Sequence, residues 1–378
     1  MKSKAAVLRE IGKPFPYAES QQLSIEEVTL LPPAPTDLVV EIAGAGLCHS
    51  DLSVMNGSRA APVPMLMGHE GAGRVVEVGS AVTDVKVGDA VAFQFSVSCG
   101  RCRNCQSGRP QICEAALPAR VKGELISGGS RIRDANGDTI RHFIGVSCFA
   151  EYAVVNRGSV VVIDEGITPE DAAIFGCAVM TGVGALVNTA RIAPGQSVAI
   201  FGLGGVGLCG IMGAKVSGAD PIIAVDLEEA KLKKALELGA THAFNARDPE
   251  LISKVMDLTH GGVDFAVELA GAVAAMESAY AMLVRGGRLV TAGLSPIGAK
   301  FSFEHGDLVG NEKSILGSYM GSCVPVRDIP RFIQMYRTGA LPVDKLIDRR
   351  IGFDEINAGF DRLHSGEALR QVLVPHAA

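Results

Sequence analysis

The chain has 378 residues, 48% hydrophobic and 20% charged, which is long and apolar enough for a globular protein with two cores rather than one. A net charge of −6 gives a nucleic-acid backbone or an anionic membrane nothing to hold, so neither is expected as a partner. Nine cysteines, four of them within fifteen residues, fit reduced thiols and metal ligation better than a disulfide framework; with no long apolar run after the basic start, a cytoplasmic protein is expected.

From Lys4 to about Val91, short β-branched runs bounded by Pro and Gly (KAAVL, SIEEVTL, DLVVEIAGAGL, GRVVEVG, VKVGDAVAF) predict a mostly β domain. The stretch from Cys99 to Cys113 reads as a lobe. Glu114 to Arg141 follows as a polar excursion with a turn at Asp134 to Asp138, before FAEYAVV resumes the β pattern. In TPEDAAIFG, Thr168 is the candidate helix N-cap and Pro169 the first helical residue. Two uncharged stretches, Ala172 to Ala190 and Ile192 to Ala214, have the length of membrane spans, but their glycines read as buried α/β core. From Ser197 to about Ile315 strands and helices alternate, which predicts a parallel sheet covered by helices; the tail adds helical stretches and a β-like run at LIDRRIGF.

Within that alternation, Gly202, Gly204 and Gly207 fit G-x-G-x-x-G, with Gly205 extra, between a strand at Val198 to Phe201 and a glycine-punctuated helix. The first glycine allows the turn, the second lets a pyrophosphate approach the backbone, and the third lets helix and strand pack closely. Asp226 lies 19 residues after Gly207 at the end of the next strand, where a carboxylate accepts from an adenosine ribose and repels a 2′-phosphate. NAD is therefore expected ahead of NADP; the competing reading is an ordinary βαβ turn.

Two sets of metal-ligating residues stand out. Cys99, Cys102, Cys105 and Cys113 form C-x2-C-x2-C-x7-C, suited to a closed tetrahedral zinc site that does no chemistry, with an iron–sulfur cluster or free cysteines as alternatives. Cys48 in GLCHSDL, His69 in GHEGAG and Cys177 in FGCAVMTG are scattered, and each alone reads as a buried small residue or a structural histidine.

Taken together, GLCHSDL, GHEGAGRVVEVGSAVTDVKVGDAV, the four-cysteine lobe, GCAVMTG, GLGGVG and GFDRLHSGEALR resemble the zinc-dependent medium-chain alcohol dehydrogenase family along essentially the whole chain. The long excursion after Cys113 is similar to that of its dimeric branch, which holds the liver-type, aryl-alcohol and thiol-adduct formaldehyde enzymes. The resemblance implies an α/β protein: a GroES-like β-rich catalytic domain at 1–178 and 321–378, with the structural-zinc lobe at 99–113, and a Rossmann doubly wound parallel-sheet NAD-binding domain at 179–320. It also implies two zinc ions per chain, a small-molecule alcohol or aldehyde as substrate, and a homodimer or dimer of dimers.

Residue by residue, the resemblance makes Cys48, His69 and Cys177 the catalytic zinc ligands, with Asp51 orienting His69 and Glu70 beside the metal. Ser50 matches the hydroxyl that accepts the alcohol proton. Five residues beyond Cys48, where many relatives place a histidine, stands Ser53, which cannot hold a proton at neutral pH. His49 and Arg370 match contacts to the pyrophosphate, Thr181 and Val206 contacts near the nicotinamide, and Lys231 a contact to the adenosine ribose. Phe95, Pro118, Phe143, Ile144, Leu294, Tyr319 and Met320 would line an apolar pocket for a primary, aryl-type alcohol. Arg59 stands where the thiol-adduct formaldehyde enzymes carry an acidic residue, which ranks that activity second and leaves room for a carboxylate-bearing substrate. A catalytically retired nucleotide-binding protein is the non-enzymatic reading.

Overall fold

The computed structural model describes residues 1–164 and 166–376 and divides into two compact units. The first comprises Met1–Cys177, Val324–Arg337 and the chain from Asp344 onward; the second comprises Ala178–Cys323 and Thr338–Val343.

The first unit is the β-rich one. Strands Lys2–Leu8, Ser24–Leu30, Ile132–Arg133, Thr139–His142 and Met65–Leu66 close into a barrel. A second sheet runs in the order Val160–Val162, Ala90–Phe93, Glu70–Val78, Asp37–Gly46, Arg370–Leu373, Ile347–Ile351, with Tyr152–Asn156 also paired to Asp37–Gly46. Alternate residues of these strands, among them Ala5, Val7, Val28, Val39, Leu66, Ile140 and Val154, form one buried cluster. Each aliphatic side chain of Val or Leu size buried there contributes about 1.5–3 kcal/mol.

The polar excursion after Cys113 holds more structure than its composition implies. The turn falls where expected, with Asp134 Oδ1 accepting from the N–H groups of Asn136 and Asp138, both at 3.0 Å. Yet two of the barrel strands and a helix, Leu117–Lys122, also lie here. Ile132 and Ile140 face the barrel core while Arg133, Thr139 and Arg141 face outward, so the alternation is there but too short to stand out among charged neighbours. The helix start at Thr168 is as expected: its side chain accepts from Asp171 N at 3.2 Å, and Pro169 opens the helix.

The second unit holds a six-stranded, wholly parallel sheet in the order His242–Asn245, Ile222–Asp226, Val198–Phe201, Val263–Glu268, Leu283–Thr291, Ser314–Gly317. This is the doubly wound order, which reverses beside Val198–Phe201 and opens a crevice at the carboxyl ends of the strands. The uncharged stretches supply buried core: Val198–Phe201 is enclosed along its length, as is most of the helix Gly205–Val216. Among the described residues no single helix is long and apolar enough to cross a membrane.

His142, at the end of its barrel strand, is fully buried and accepts from Arg131 N through Nε2 at 3.2 Å. Burial, with the Arg131 charge adding to it, pushes its pKa from 6.5 down to about 3. The unfolded chain therefore takes up this proton first: the stabilisation is complete above about pH 6.5 and is lost as pH falls toward 3, at up to about 1.4 kcal/mol per unit. His142→Gln keeps an acceptor without titrating, so urea midpoints measured from pH 7 to 5 should fall less steeply in this variant than in the wild type. Parallel slopes would contradict the assignment.

A buried metal centre and a dinucleotide loop

Three chain segments of the first unit deliver the scattered ligand set. Cys48 sits in extended backbone between the strand Asp37–Gly46 and the helix His49–Met55. His69 precedes the strand Glu70–Val78, after a left-handed Gly68 (φ +90°) at which a Cβ would stand 2.6 Å from Phe149 N. Cys177 follows the helical turn Ala173–Gly176, where Gly176 passes so close to the Phe93 carbonyl that no side chain fits. One ligand atom from each of Cys48, His69, Glu70 and Cys177 lies within 4.8 Å of the others, and all four residues are buried.

The surroundings of His69 fit a metal. Its Nδ1 is 3.1 Å from Asp51 Oδ2, and Asp51 is itself fixed by the Gly68 N–H at 3.1 Å. Nε2 is fully buried and has no hydrogen-bond partner among the described residues. A buried nitrogen left bare, aimed at two thiols and backed by a carboxylate, is the donor set expected for zinc with an outer ligand orienting the ring. Glu70 is held aside: its Oε1 is 3.9 Å from His69 Nε2 but accepts from Arg370 Nη1 at 3.0 Å, and the same nitrogen donates to the Leu47 carbonyl at 3.1 Å.

The protons respond to this crowding. Hydrogen bonding from Cys177 holds the Cys48 thiol well below its ordinary range, and the same bond pushes Cys177 well above. Burial works to lower the His69 pKa, but Asp51 and Cys48 overcome it and raise it well above 6.5. Burial drives Glu70 up to about 8 against the pull of Arg370. A cation at the centre displaces these protons, because its ligands bind deprotonated.

The four-cysteine lobe fits a second ion. Its sulfurs lie within 4.8 Å of one another, Cys102 Sγ being 3.5 Å from Cys105 Sγ and 3.9 Å from Cys113 Sγ. A tetrahedron with bonds of about 2.3 Å has edges of about 3.8 Å, which these separations bracket. A multi-iron cluster needs its thiolates further apart. The N–H groups of Cys99 and Cys102 donate to Cys113 Sγ and Cys99 Sγ, both at 3.3 Å, as thiolates require.

In the second unit the glycine loop takes the form its spacing implies. Gly202 has φ +85°, and a Cβ there would stand 2.6 Å from Ala270 Cβ; at Gly207 a Cβ would collide with the Gly202 carbonyl oxygen. A Cβ at Gly204 would meet nothing within 4 Å, so the space in front of its backbone is open to a ligand. Gly205, Val206 and Gly207 form the first turn of the helix Gly205–Val216, whose N–H groups have no intrahelical acceptor. Asp226 accepts from Leu203 N at 2.6 Å and Glu228 N at 3.0 Å, which places its carboxylate against this loop.

Of the other expected residues, Phe95 and Phe143 meet the His69 ring edge-on, at 5.2 and 5.5 Å between centroids. Ile144 follows in the left-handed region (φ +52°), which is costly for a β-branched residue. Ser50 is half-buried and His49 exposed on the first turn of their helix; the Ser53 hydroxyl donates to the His49 carbonyl at 2.7 Å, and Arg59, half-buried, donates its N–H to Ser53 O at 2.8 Å. Pro118 is exposed. Thr181, Lys231 and Tyr319 are half-buried, Leu294 exposed and Met320 buried, all in the second unit.

Two supporting residues escaped the sequence reading. Ser147, buried, accepts from Phe143 N and donates to Leu66 O, each at 2.7 Å, and so fixes the Phe143 wall; nothing in its local sequence distinguishes it. Glu268, also buried, accepts from Ala270 N at 2.8 Å, Gly271 N at 2.5 Å and the Thr291 hydroxyl at 2.9 Å, tying together loops at the carboxyl ends of two neighbouring strands. An acidic residue closing the apolar run VDFAVE is its only sequence signal.

Comparison with known proteins agrees with this arrangement. Residues 34–165 match the alcohol dehydrogenase GroES-like domain, and residues 205–338 match the zinc-binding dehydrogenase domain. The chain is 36% identical over 377 residues to S-(hydroxymethyl)glutathione dehydrogenase of Synechocystis sp. (strain ATCC 27184 / PCC 6803 / Kazusa), covering 99% of this chain and 100% of that protein. The chain belongs to the zinc-dependent medium-chain alcohol dehydrogenase family. Among solved members, an alcohol dehydrogenase zinc-binding domain protein from Burkholderia ambifaria superposes with a TM-score of 0.93 at 32% identity, over 100% of both chains. Benzyl alcohol dehydrogenase from Acinetobacter calcoaceticus superposes with a TM-score of 0.90 at 30% identity, over 99% of both. This medium-chain dehydrogenase is thus a zinc-dependent, NAD(P)-linked alcohol oxidoreductase with a GroES-like and a Rossmann-like domain.

Metal analysis of the purified dehydrogenase should find two zinc equivalents per chain, with Cys102→Ser losing one and Cys48→Ser the other. Loss of both from either variant would show that the sites are not independent. In the loop, Gly204→Ala should keep the melting temperature but weaken NADH binding about tenfold or more, whereas Gly207→Ala should also destabilise the fold by about 1–3 kcal/mol. NADH fluorescence titration beside thermal melting separates the two; unchanged NADH affinity in Gly204→Ala contradicts the role of the open face.

Proposed function

We propose that the dehydrogenase interconverts a primary, aryl-type alcohol and its aldehyde, with NAD rather than NADP. The observation carrying the substrate class is the pair of aromatic edges, Phe95 and Phe143, set against the buried His69 ring. A flat apolar substrate reaching that centre gains ring contacts that a short aliphatic alcohol cannot make. The benzyl alcohol relative supports this reading. For the coenzyme, the carboxylate of Asp226 beside the glycine loop favours a ribose hydroxyl and repels a 2′-phosphate.

When bound by Cys48, His69 and Cys177, zinc supplies a Lewis acid that lowers the pKa of an alcohol and polarises a carbonyl. The chain's own residues do the rest. Asp51 keeps the imidazole oriented, Arg370 restrains Glu70, and Ser50, on the first turn after Cys48, takes the alcohol proton. Ser53 cannot continue that route as a base, its proton being directed to the His49 carbonyl, so the relay ends in water or in another base.

A second reading, oxidation of a thiol-adduct of formaldehyde, is favoured by the S-(hydroxymethyl)glutathione relative. Arg59 weighs against it, because a cation half-buried at the end of the Ser50 helix takes the place of an acidic residue. The same cation suits a substrate carrying a carboxylate. Nine cysteines, four of them gathered in one metal-binding lobe, support a reducing, cytoplasmic setting, and the family resemblance supports a homodimer.

Steady-state kinetics on benzyl alcohol, ethanol and S-(hydroxymethyl)glutathione should give benzyl alcohol a kcat/KM about tenfold or more above the others. Preference for the glutathione adduct would replace the first reading by the second. Asp226→Ala should raise kcat/KM for NADP and lower it for NAD, and a wild type already as good with NADP would contradict the coenzyme assignment. Ser53→His should shift the pH–rate profile of hydride transfer, and an unchanged profile would remove position 53 from the proton route.

A further inference from the structure

The second unit has a cavity of ≈ 240 Å³ lined by Arg191, Gln196, Asp264, Phe265, Arg285 and Arg288, together with Val284 and Gly286. Its position in the sheet separates it from the glycine loop. Gln196 precedes the strand Val198–Phe201, while Asp264 and Phe265 open Val263–Glu268, and Val284 to Arg288 open Leu283–Thr291. The cavity is therefore at the amino ends of the parallel strands, and the dinucleotide loop at their carboxyl ends. The four residue steps from Ser197 to Phe201 alone put about 13 Å between the two.

Its charges are unbalanced. None of Arg191, Arg285 and Arg288 forms an ion pair with a carboxylate among the described residues. The one acid in the lining, Asp264, is already committed, its Oδ2 accepting from Ser197 N at 2.8 Å and from the Ser197 hydroxyl at 2.7 Å. Three guanidinium groups against one carboxylate leave two positive charges in excess. A sphere of ≈ 240 Å³ has a radius of about 4 Å, shorter than the roughly 8 Å screening length at physiological salt, so the cations feel one another.

All three arginines are exposed at the opening yet positioned, Arg191 Nε donating to the Asn188 carbonyl at 3.2 Å. Arg288 lies 5.8 Å above the Phe265 ring, and Arg285 Nη2 donates to the Gly310 carbonyl at 3.4 Å. Guanidinium groups steadied in this way keep further N–H donors for a tetrahedral or planar oxyanion, which they hold in a fork geometry. The cavity is smaller than the about 300 Å³ at which pockets for drug-sized ligands begin, which suits a small anion better than a nucleotide.

We propose that this cavity is a second binding site, for a small divalent oxyanion of the phosphate class, separate from the coenzyme loop. The ligand is free inorganic phosphate or a small phosphomonoester, not a phosphorylated protein segment. Two negative charges match the excess.

The test uses zinc-loaded enzyme saturated with NADH, so that the coenzyme loop is occupied, and titrates inorganic phosphate by calorimetry at an ionic strength held constant with chloride. Saturable binding in the low-millimolar range or tighter is expected, weakened about tenfold or more in the Arg285→Ala/Arg288→Ala double variant. The double variant should keep wild-type alcohol oxidation and NADH affinity, since neither residue lies at the metal centre or the glycine loop. Sulfate binding with the same dependence on the arginines also supports the site, because charge and size are what it reads. Absence of saturable binding, or equal binding by the double variant, overturns the proposal. Binding of a phosphoserine peptide tenfold tighter than phosphate overturns the assignment to a small free anion.

Discussion

Two thiols, an imidazole and a carboxylate enclosed within 4.8 Å of one another are not a self-sufficient arrangement. Without an ion these groups compete for protons: Cys177 pulls the Cys48 thiol well below its ordinary range and is itself pushed up, burial raises Glu70, and Asp51 with Cys48 raises His69. The Nε2 of the ring still has no hydrogen-bond partner among the described residues. Burying such groups unpaired costs several kcal/mol, and a divalent cation removes that cost at one stroke by taking lone pairs from all three ligands. The fold of the first unit serves this demand: a strand end, a strand start and a helical turn, remote in sequence, stop at the same place.

What surrounds the centre keeps it usable for chemistry. Arg370, entering from the last strand, draws Glu70 toward itself and toward the Leu47 carbonyl, so a fourth potential ligand stays nearby without closing the site. The opposite rule governs the four-cysteine lobe, where sulfur would fill every position and backbone N–H groups point at the sulfurs; an ion bound there would hold a loop in shape. The aromatic wall depends on a buried serine. Ser147 clamps the backbone of Phe143 and, with Ile144 and Gly145 in left-handed conformations, turns the chain sharply beside His69.

Much of this was legible in the sequence because it rests on spacing. The glycine fingerprint predicted a turn, an open face and a close packing, and Gly202, Gly204 and Gly207 supply these in that order. The alternation of strands and helices after Ser197 predicted the parallel sheet, and the cysteine spacing predicted the lobe. The scattered ligands were legible only through family resemblance, since no local pattern links Cys48, His69 and Cys177. Ser147, Glu268 and the short barrel strands at Ile132 and Thr139 were not legible. Their importance comes from hydrogen bonds or pairings between distant segments, and a two-residue strand leaves no periodicity to read. The arginine cavity was hidden for the same reason, its lining being gathered from the starts of three separate strands and, through Arg191, from the end of the helix Ala185–Ala190.

The most direct measurement on the central claim is the absorption spectrum of enzyme whose ion at the scattered site has been exchanged for cobalt(II). Ligation by Cys48, His69 and Cys177 predicts intense ligand-field bands of a tetrahedral ion together with thiolate-to-cobalt charge transfer, the latter reduced by replacing either cysteine with serine. Weak octahedral bands without charge transfer, unchanged by those replacements, would contradict it.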